Sequence, residues 1–137
     1  MKSLVIIEQR KNYYNMREIY VEMINNLFKN KMYEKVYVVF NNVNIDEYWC
    51  ICIPIKDYTL ASIQHAFYTE DFPFKNKSFL EKYLVKSFSE KDIVEIFSSG
   101  NNSKLTNYIE SFFQNNKIQY KYIDEISISE GGKSIIN

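Results

Sequence analysis

Apolar residues recur along this chain with two different periods, and the switches between them mark out its elements. SLVIIEQ, residues 3–9, reads as a short strand. In NMREIYVEMINNLFKN, residues 15–30, Ile19, Met23, Ile24, Leu27 and Phe28 share one face at helical spacing. KVYVVFNN and EYWCICIPI are two runs rich in Val, Ile, Tyr and Cys, and the polar Asn42–Asp46 region between them predicts a hairpin. Pro54 places the second run at a sheet edge or at its own end. TLASIQHAF predicts a short helical turn, and YTEDFPFKNKS a polar, aromatic connection punctuated by Pro73. KSFLEKYLVKSF predicts a helix with Phe79, Tyr83, Leu84 and Phe88 inward. Val94 to Phe97 reads as a strand. NSKLTNYIESFFQNNK has the clearest apolar stripe, formed by Leu105, Tyr108, Ile109, Phe112 and Phe113. IQYKYIDEISI closes as a strand that runs into the tail SEGGKSIIN.

After residue 34 the order is two strands, helix, strand, helix, strand. It predicts an α/β fold: a mixed sheet of about five strands, with right-handed crossovers packing helices on it. That order matches the general layout of ribonuclease H. Enzymes of that layout hold divalent cations on strand carboxylates, whereas the strand end here offers Ser98 and Ser99.

Composition narrows the function more than the fold. At 137 residues the chain is one domain able to bury a real core. Lys and Arg number 17 and Asp and Glu 17, so net charge is zero, which counts against a free-standing nucleic-acid binder. Twelve Tyr, 10 Phe and only 3 Gly, with abundant Asn, Lys and Ile, are what AT-rich coding produces. Apolar runs are too short to span a bilayer, and no secretory or transit signal is expected at the start.

Catalytic constellations are not predicted. Cys50 and Cys52 alternate on one strand face, poorly placed to bridge each other, and read as core packing. His65 is the single His, with no nucleophile close in sequence. The pairs Asp46–Glu47, Glu70–Asp71 and Asp124–Glu125 read as solvated turn charges. No phosphate-loop or dinucleotide motif occurs, and no metal or cofactor is expected. One stretch does invite a ligand: in VEIFSSGNNSKL, a small polar turn joins a strand to a helix start, where backbone N–H groups and the helix dipole favour phosphate. A capped turn explains the same residues equally simply.

Three separated pieces, in order, resemble the small-subunit ribosomal protein eleven family. VYVVFNNV matches a family strand ending F-N-N-T through Phe40, Asn41 and Asn42, with Val43 in place of Thr. VEIFSSGNNSKL keeps Val94, Glu95 and Gly100 of a strand that runs into a glycine-rich loop, with Lys104 near the family's Arg. DEISISEGGKS keeps Asp124, Ile128, Gly132 and a cation at Lys133, and FPFKNKSF stands where the family has a basic segment. The resemblance covers about residues 35–134. The family's loop prolines, most of its loop glycines and its basic C-terminal tail are missing here.

What the resemblance implies is a structural, non-enzymatic constituent of the small ribosomal subunit, bound to ribosomal RNA on the platform near the messenger exit and E site. Its expected neighbours are small-subunit proteins six, seven, eighteen and twenty-one. The RNA contacts carried over are Asn41, Asn42, Lys75, Lys77, Ser99, Gly100, Asn101, Asn102, Ser103, Lys104, Gly132 and Lys133. Residues 1–34 have no family counterpart and are expected as an N-terminal strand and helix extension to a core spanning 35–137. The departures and the zero net charge resemble mitochondrial ribosomal proteins encoded in the organelle. Neither a membrane nor a small-molecule substrate is expected. The rival readings are a phage or immunity-type protein-binding module and a ribonuclease H-like enzyme.

Overall fold

The structure, a computed structural model, describes residues 2–10, 17–42, 47–68, 73–74, 77–98, 103–127 and 134–136. The elements in chain order are β1 (Lys2–Arg10), α1 (Arg17–Lys29), β2 (Tyr33–Asn42), β3 (Glu47–Pro54), a 3-10 turn (Ile55–Asp57), α2 (Leu60–Tyr68), β4 (Pro73–Phe74), α3 (Lys77–Ser87), β5 (Ile93–Ser98), α4 (Ser103–Asn115), β6 (Gln119–Tyr122), β7 (Ile126–Ser127) and β8 (Ser134–Ile136). The expected α/β fold with a mixed sheet is present. Five strands and the two-residue β4 lie in the order β4-β3-β2-β1-β5-β6, and β7 pairs with β8 separately.

The position of β1 corrects the expected N-terminal extension. It lies in the middle of the sheet, parallel to β2 on one side and to β5 on the other. The reason is in its sequence: Leu4, Val5, Ile6 and Ile7 form an unbroken apolar run, the pattern of a strand buried on both faces. Leu4 and Ile6 join the core under α1 and α2, while Val5 and Ile7 join the core under α3 and α4. A parallel β1–β2 pair needs a long crossover, which α1 supplies.

β2 and β3 form the expected antiparallel hairpin, and β3 ends at Pro54. The segment expected as a short helical turn forms a full helix, α2, over Leu60–Tyr68. Helix α1 turns Tyr20, Met23, Ile24, Leu27 and Phe28 inward and leaves Ile19 exposed, so Tyr20 takes the inward place expected for Ile19. The expected closing strand is broken. β6 ends at Tyr122, and Ile126 then tucks into the core on the α1 side. Both α1 and α4 stop the same way. Lys31 and Lys117 adopt the left-handed conformation at φ 53° and 57°, and the following Met32 and Ile118 donate N–H bonds back to the Leu27 and Phe113 carbonyls. This is a Schellman stop built without glycine.

Two buried carboxylates tie the amino-terminal edge together. Glu95 accepts from the Tyr33 hydroxyl at 2.7 Å and pairs with Lys2 at 3.1 Å and Lys121 at 3.4 Å. Asp92 pairs with Lys35 at 2.9 Å and accepts from the Ser3 hydroxyl at 3.2 Å and the Ser89 N–H at 2.8 Å. Burial pushes both carboxyls up, but these donors and cations outweigh it and hold both below their ordinary range. Each group therefore ionises more readily folded than unfolded. Its stabilisation is present above the unfolded value of about 4 and is lost as pH falls through the lowered folded value. Urea midpoints should hold steady from neutral pH down to about 5 and fall below about 4. The drop should be shallower in an Asp92→Asn, Glu95→Gln double variant. A midpoint that rises on acidification would contradict this assignment.

Candidate nucleic-acid interface

The site follows from where strands end. β1 and β5 are adjacent and parallel, yet the chain leaves them on opposite faces: α1 packs on one core and α4 on the other. Such a divergence opens a crevice at the carboxyl ends of the strands, the usual ligand position in an open α/β sheet. β2 and β5 both run parallel to β1 and flank it, so their carboxyl ends lie at the same edge, about 10 Å apart by two strand spacings.

That geometry brings together motifs more than fifty positions apart in sequence. Asn41, 7% exposed, closes the buried part of β2 on the face of Tyr37 and Val39. Ser98, half-buried, ends β5 on the face of Val94 and Ile96. Both therefore lie on the α3 and α4 side. Helix α4 starts there at Ser103, with Lys104 exposed in its first turn. β4 pairs with the start of β3, next to the end of β2, so α3 begins along the same edge at Lys77. Asn42 is the last residue of β2. Lys75, Ser99, Gly100, Asn101, Asn102, Gly132 and Lys133 lie outside the described residues. Asn41, Asn42, Lys77, Ser103 and Lys104 thus share one sheet edge.

A buried carboxylate near the end of β1, on the other face, is not among the residues expected from sequence. Glu8, 1% exposed, accepts a hydrogen bond from the Tyr20 hydroxyl at 2.7 Å. Its signal was a carboxylate directly after the run Leu4–Ile7, where a fully buried strand tolerates a charge only with partners.

Elsewhere the reactive groups are quiet. Cys50 and Cys52 are free thiols on the α3 side of β3, Cys50 buried and Cys52 half-buried. Burial pushes the Cys50 thiol and the Tyr37 hydroxyl beside it up, which keeps both neutral and poor nucleophiles. A cavity of about 700 Å³ at the amino-terminal edge is lined by residues that include Cys52, Tyr83, Lys56 and Lys86, away from the strand ends above. No cluster of metal-ligating side chains occurs among the described residues. No helix among them is long and apolar enough to cross a membrane.

Known proteins add nothing to this geometry. No family model, curated protein or solved structure matches the chain.

Proposed function

We propose that this chain is a non-catalytic RNA-binding protein, a structural constituent of the small ribosomal subunit of mitochondria. Its RNA contact is the carboxyl edge of the sheet. The observation that carries this is the convergence of Asn41, the end of β5 at Ser98 and the starts of α3 and α4 on one edge of the sheet. The edge offers neutral donors and acceptors, with a point charge at Lys104. Folded RNA is held largely through phosphates and 2′-hydroxyls, which such groups suit. A side-chain amide donates and accepts at once. The residues between Ser98 and Ser103 complete the grip on this reading.

The ribosomal setting is supported by the three family-like motifs. From β2 onward the elements are a hairpin, α2, the two-residue β4, α3, β5, α4 and β6, with β1 between β2 and β5 in the sheet. On this reading the neighbours are small-subunit proteins six, seven, eighteen and twenty-one, and the site is the platform near the messenger exit. With Lys77 and Lys104 as the cations among the described residues of this edge, few phosphates are neutralised, so affinity depends only weakly on salt.

Lys104→Gln tests the edge directly. The side chain is exposed, so folding should be unchanged. Titration of a platform ribosomal RNA fragment should show about tenfold weaker binding, about 1.4 kcal/mol. The slope of log K against log salt should fall by about 1. Affinity and slope both equal to the parent protein would remove this edge from the RNA contact.

A further inference from the structure

Helix α2 is a surface helix with no Asp, Glu, Lys or Arg in its sequence LASIQHAFY. Ile63 and Phe67 face the core, while Leu60 is 47% and Tyr68 45% exposed on its outer side. A helix that borders water ordinarily carries charged residues there, whereas the exposed side of α2 carries Leu60, Ala61, Gln64, His65 and Tyr68, and exposed large apolar side chains of this kind mark a contact surface. Aromatic side chains are enriched at such surfaces.

Helix α1 runs beside α2 in the opposite direction. Tyr58, just before α2, hydrogen-bonds Asn25 and packs on Phe28 late in α1, whereas Phe67 stacks on Tyr20 early in α1 at 6.2 Å. Between the two helices lies a groove of about 520 Å³. Val21, Leu60 and Tyr68 line it with apolar groups and Asn25 and Gln64 with amides, while Glu18 and Glu22 stand along its α1 side. Among the described residues no cation lines it, and no ion pair engages either carboxylate. The groove is therefore locally acidic in a chain of zero net charge.

The α2 side of the groove is anchored at its start. The Thr59 hydroxyl accepts the Ser62 N–H at 2.9 Å, and the Ser62 hydroxyl accepts the Thr59 N–H at 2.8 Å, a reciprocal cap that fixes the start of α2. A side anchored in this way loses less entropy when the groove is filled.

We propose that the groove between α1 and α2 is the docking site for a basic amphipathic helix of a partner protein. Apolar side chains at i, i+3 or i+4, and i+7 lie on Val21, Leu60 and Tyr68, while flanking Lys or Arg residues meet Glu18 and Glu22. RNA does not fit this surface, because the two carboxylates repel phosphate. A second copy of the chain does not fit either: a two-fold contact through the groove gathers four carboxylates in one desolvated patch. The groove lies on the face of the sheet opposite α3 and α4, whereas Asn41 and Ser98 lie on the α3 and α4 side, so the two contacts fall on opposite faces.

The test uses the full chain and a labelled helical peptide of about five turns, with a Leu stripe flanked by Lys and Arg. Fluorescence anisotropy should give saturable binding, and amide shift changes should concentrate in α1 and α2. Glu18→Lys with Glu22→Lys, and separately Leu60→Asp, should each weaken binding at least tenfold. A scrambled peptide of the same composition should bind at least tenfold more weakly than the amphipathic one. Should Leu60→Asp lower the melting temperature, the glutamate variant, altered only on the α1 rim, decides. Absence of binding, equal binding of the scrambled peptide, or unaltered binding by the glutamate variant overturns the proposal. So does a concentration-dependent homodimer that Leu60→Asp dissolves. The Lys104→Gln variant should bind the peptide like the parent, which separates failure here from failure of the RNA contact.

Discussion

Deleting residues 1–10 is expected to abolish the folded state. The strand it removes is the centre of the sheet, hydrogen-bonded to β2 and to β5. Its loss turns both neighbours into open edges and splits the layer into two pieces. Leu4, Val5, Ile6 and Ile7 are each no more than 1% exposed and lie in both cores. At about 1.5–3 kcal/mol for each buried side chain, these four alone rival the whole stability of an ordinary domain. The truncated chain should show no cooperative urea transition and should bind hydrophobic dye. Ile6→Ala is the graded form of the same test, with an expected cost of about 2–5 kcal/mol. A truncated chain that melts cooperatively near the parent's midpoint would restore the segment as an appendage.

Phe113→Ala should cost about 3–5 kcal/mol, the range for emptying an aromatic site in a core. Phe113 is fully buried, and its ring meets Phe88 at 5.4 Å, Phe112 at 5.8 Å and Tyr120 at 5.8 Å. Those contacts join α4 to the end of α3 and to β6, so the cavity left by alanine has no neighbour free to fill it. Aromatic edge contacts add about 0.5–1.5 kcal/mol each beyond the area they bury. Urea unfolding would measure the change. A loss below about 1 kcal/mol would mean that the α3–α4 core repacks easily, contrary to its ring geometry.

Local pattern carried much of the fold. The hairpin, α3, β5 and α4 each stand where their apolar periods predict, because each period repeats long enough to be distinctive. Strand order is a different kind of information. The run Leu4–Ile7 has the pattern of a strand buried on two faces, but it precedes the family-like motifs, which span about residues 35–134. Ile19 and Tyr20 are one residue apart, and a helical stripe broad enough to include either does not decide which one turns inward. Tyr20 does, with its hydroxyl bonded to the Glu8 carboxylate. The long closing segment looked continuous because alternation survives from Ile118 to Tyr122; the Asp124–Glu125 pair was the turn that breaks it.

The same contrast holds at the candidate site. Asn41 was legible as a strand end and Ser103 as a helix start. Their approach depends on β1 lying between β2 and β5, which no local pattern contains. Glu8 escaped notice because its partner Tyr20 is twelve positions away on a different element. The charge-free outer face of α2 was visible in LASIQHAFY, but its meaning required the carboxylates of α1 beside it.

The most direct measurement is sedimentation of native extract on a density gradient, with this chain quantified across the fractions. Co-migration with the small ribosomal subunit at stoichiometric level, surviving moderate salt, is the expected result. Recovery of the chain only in the light fractions would contradict a ribosomal scaffold.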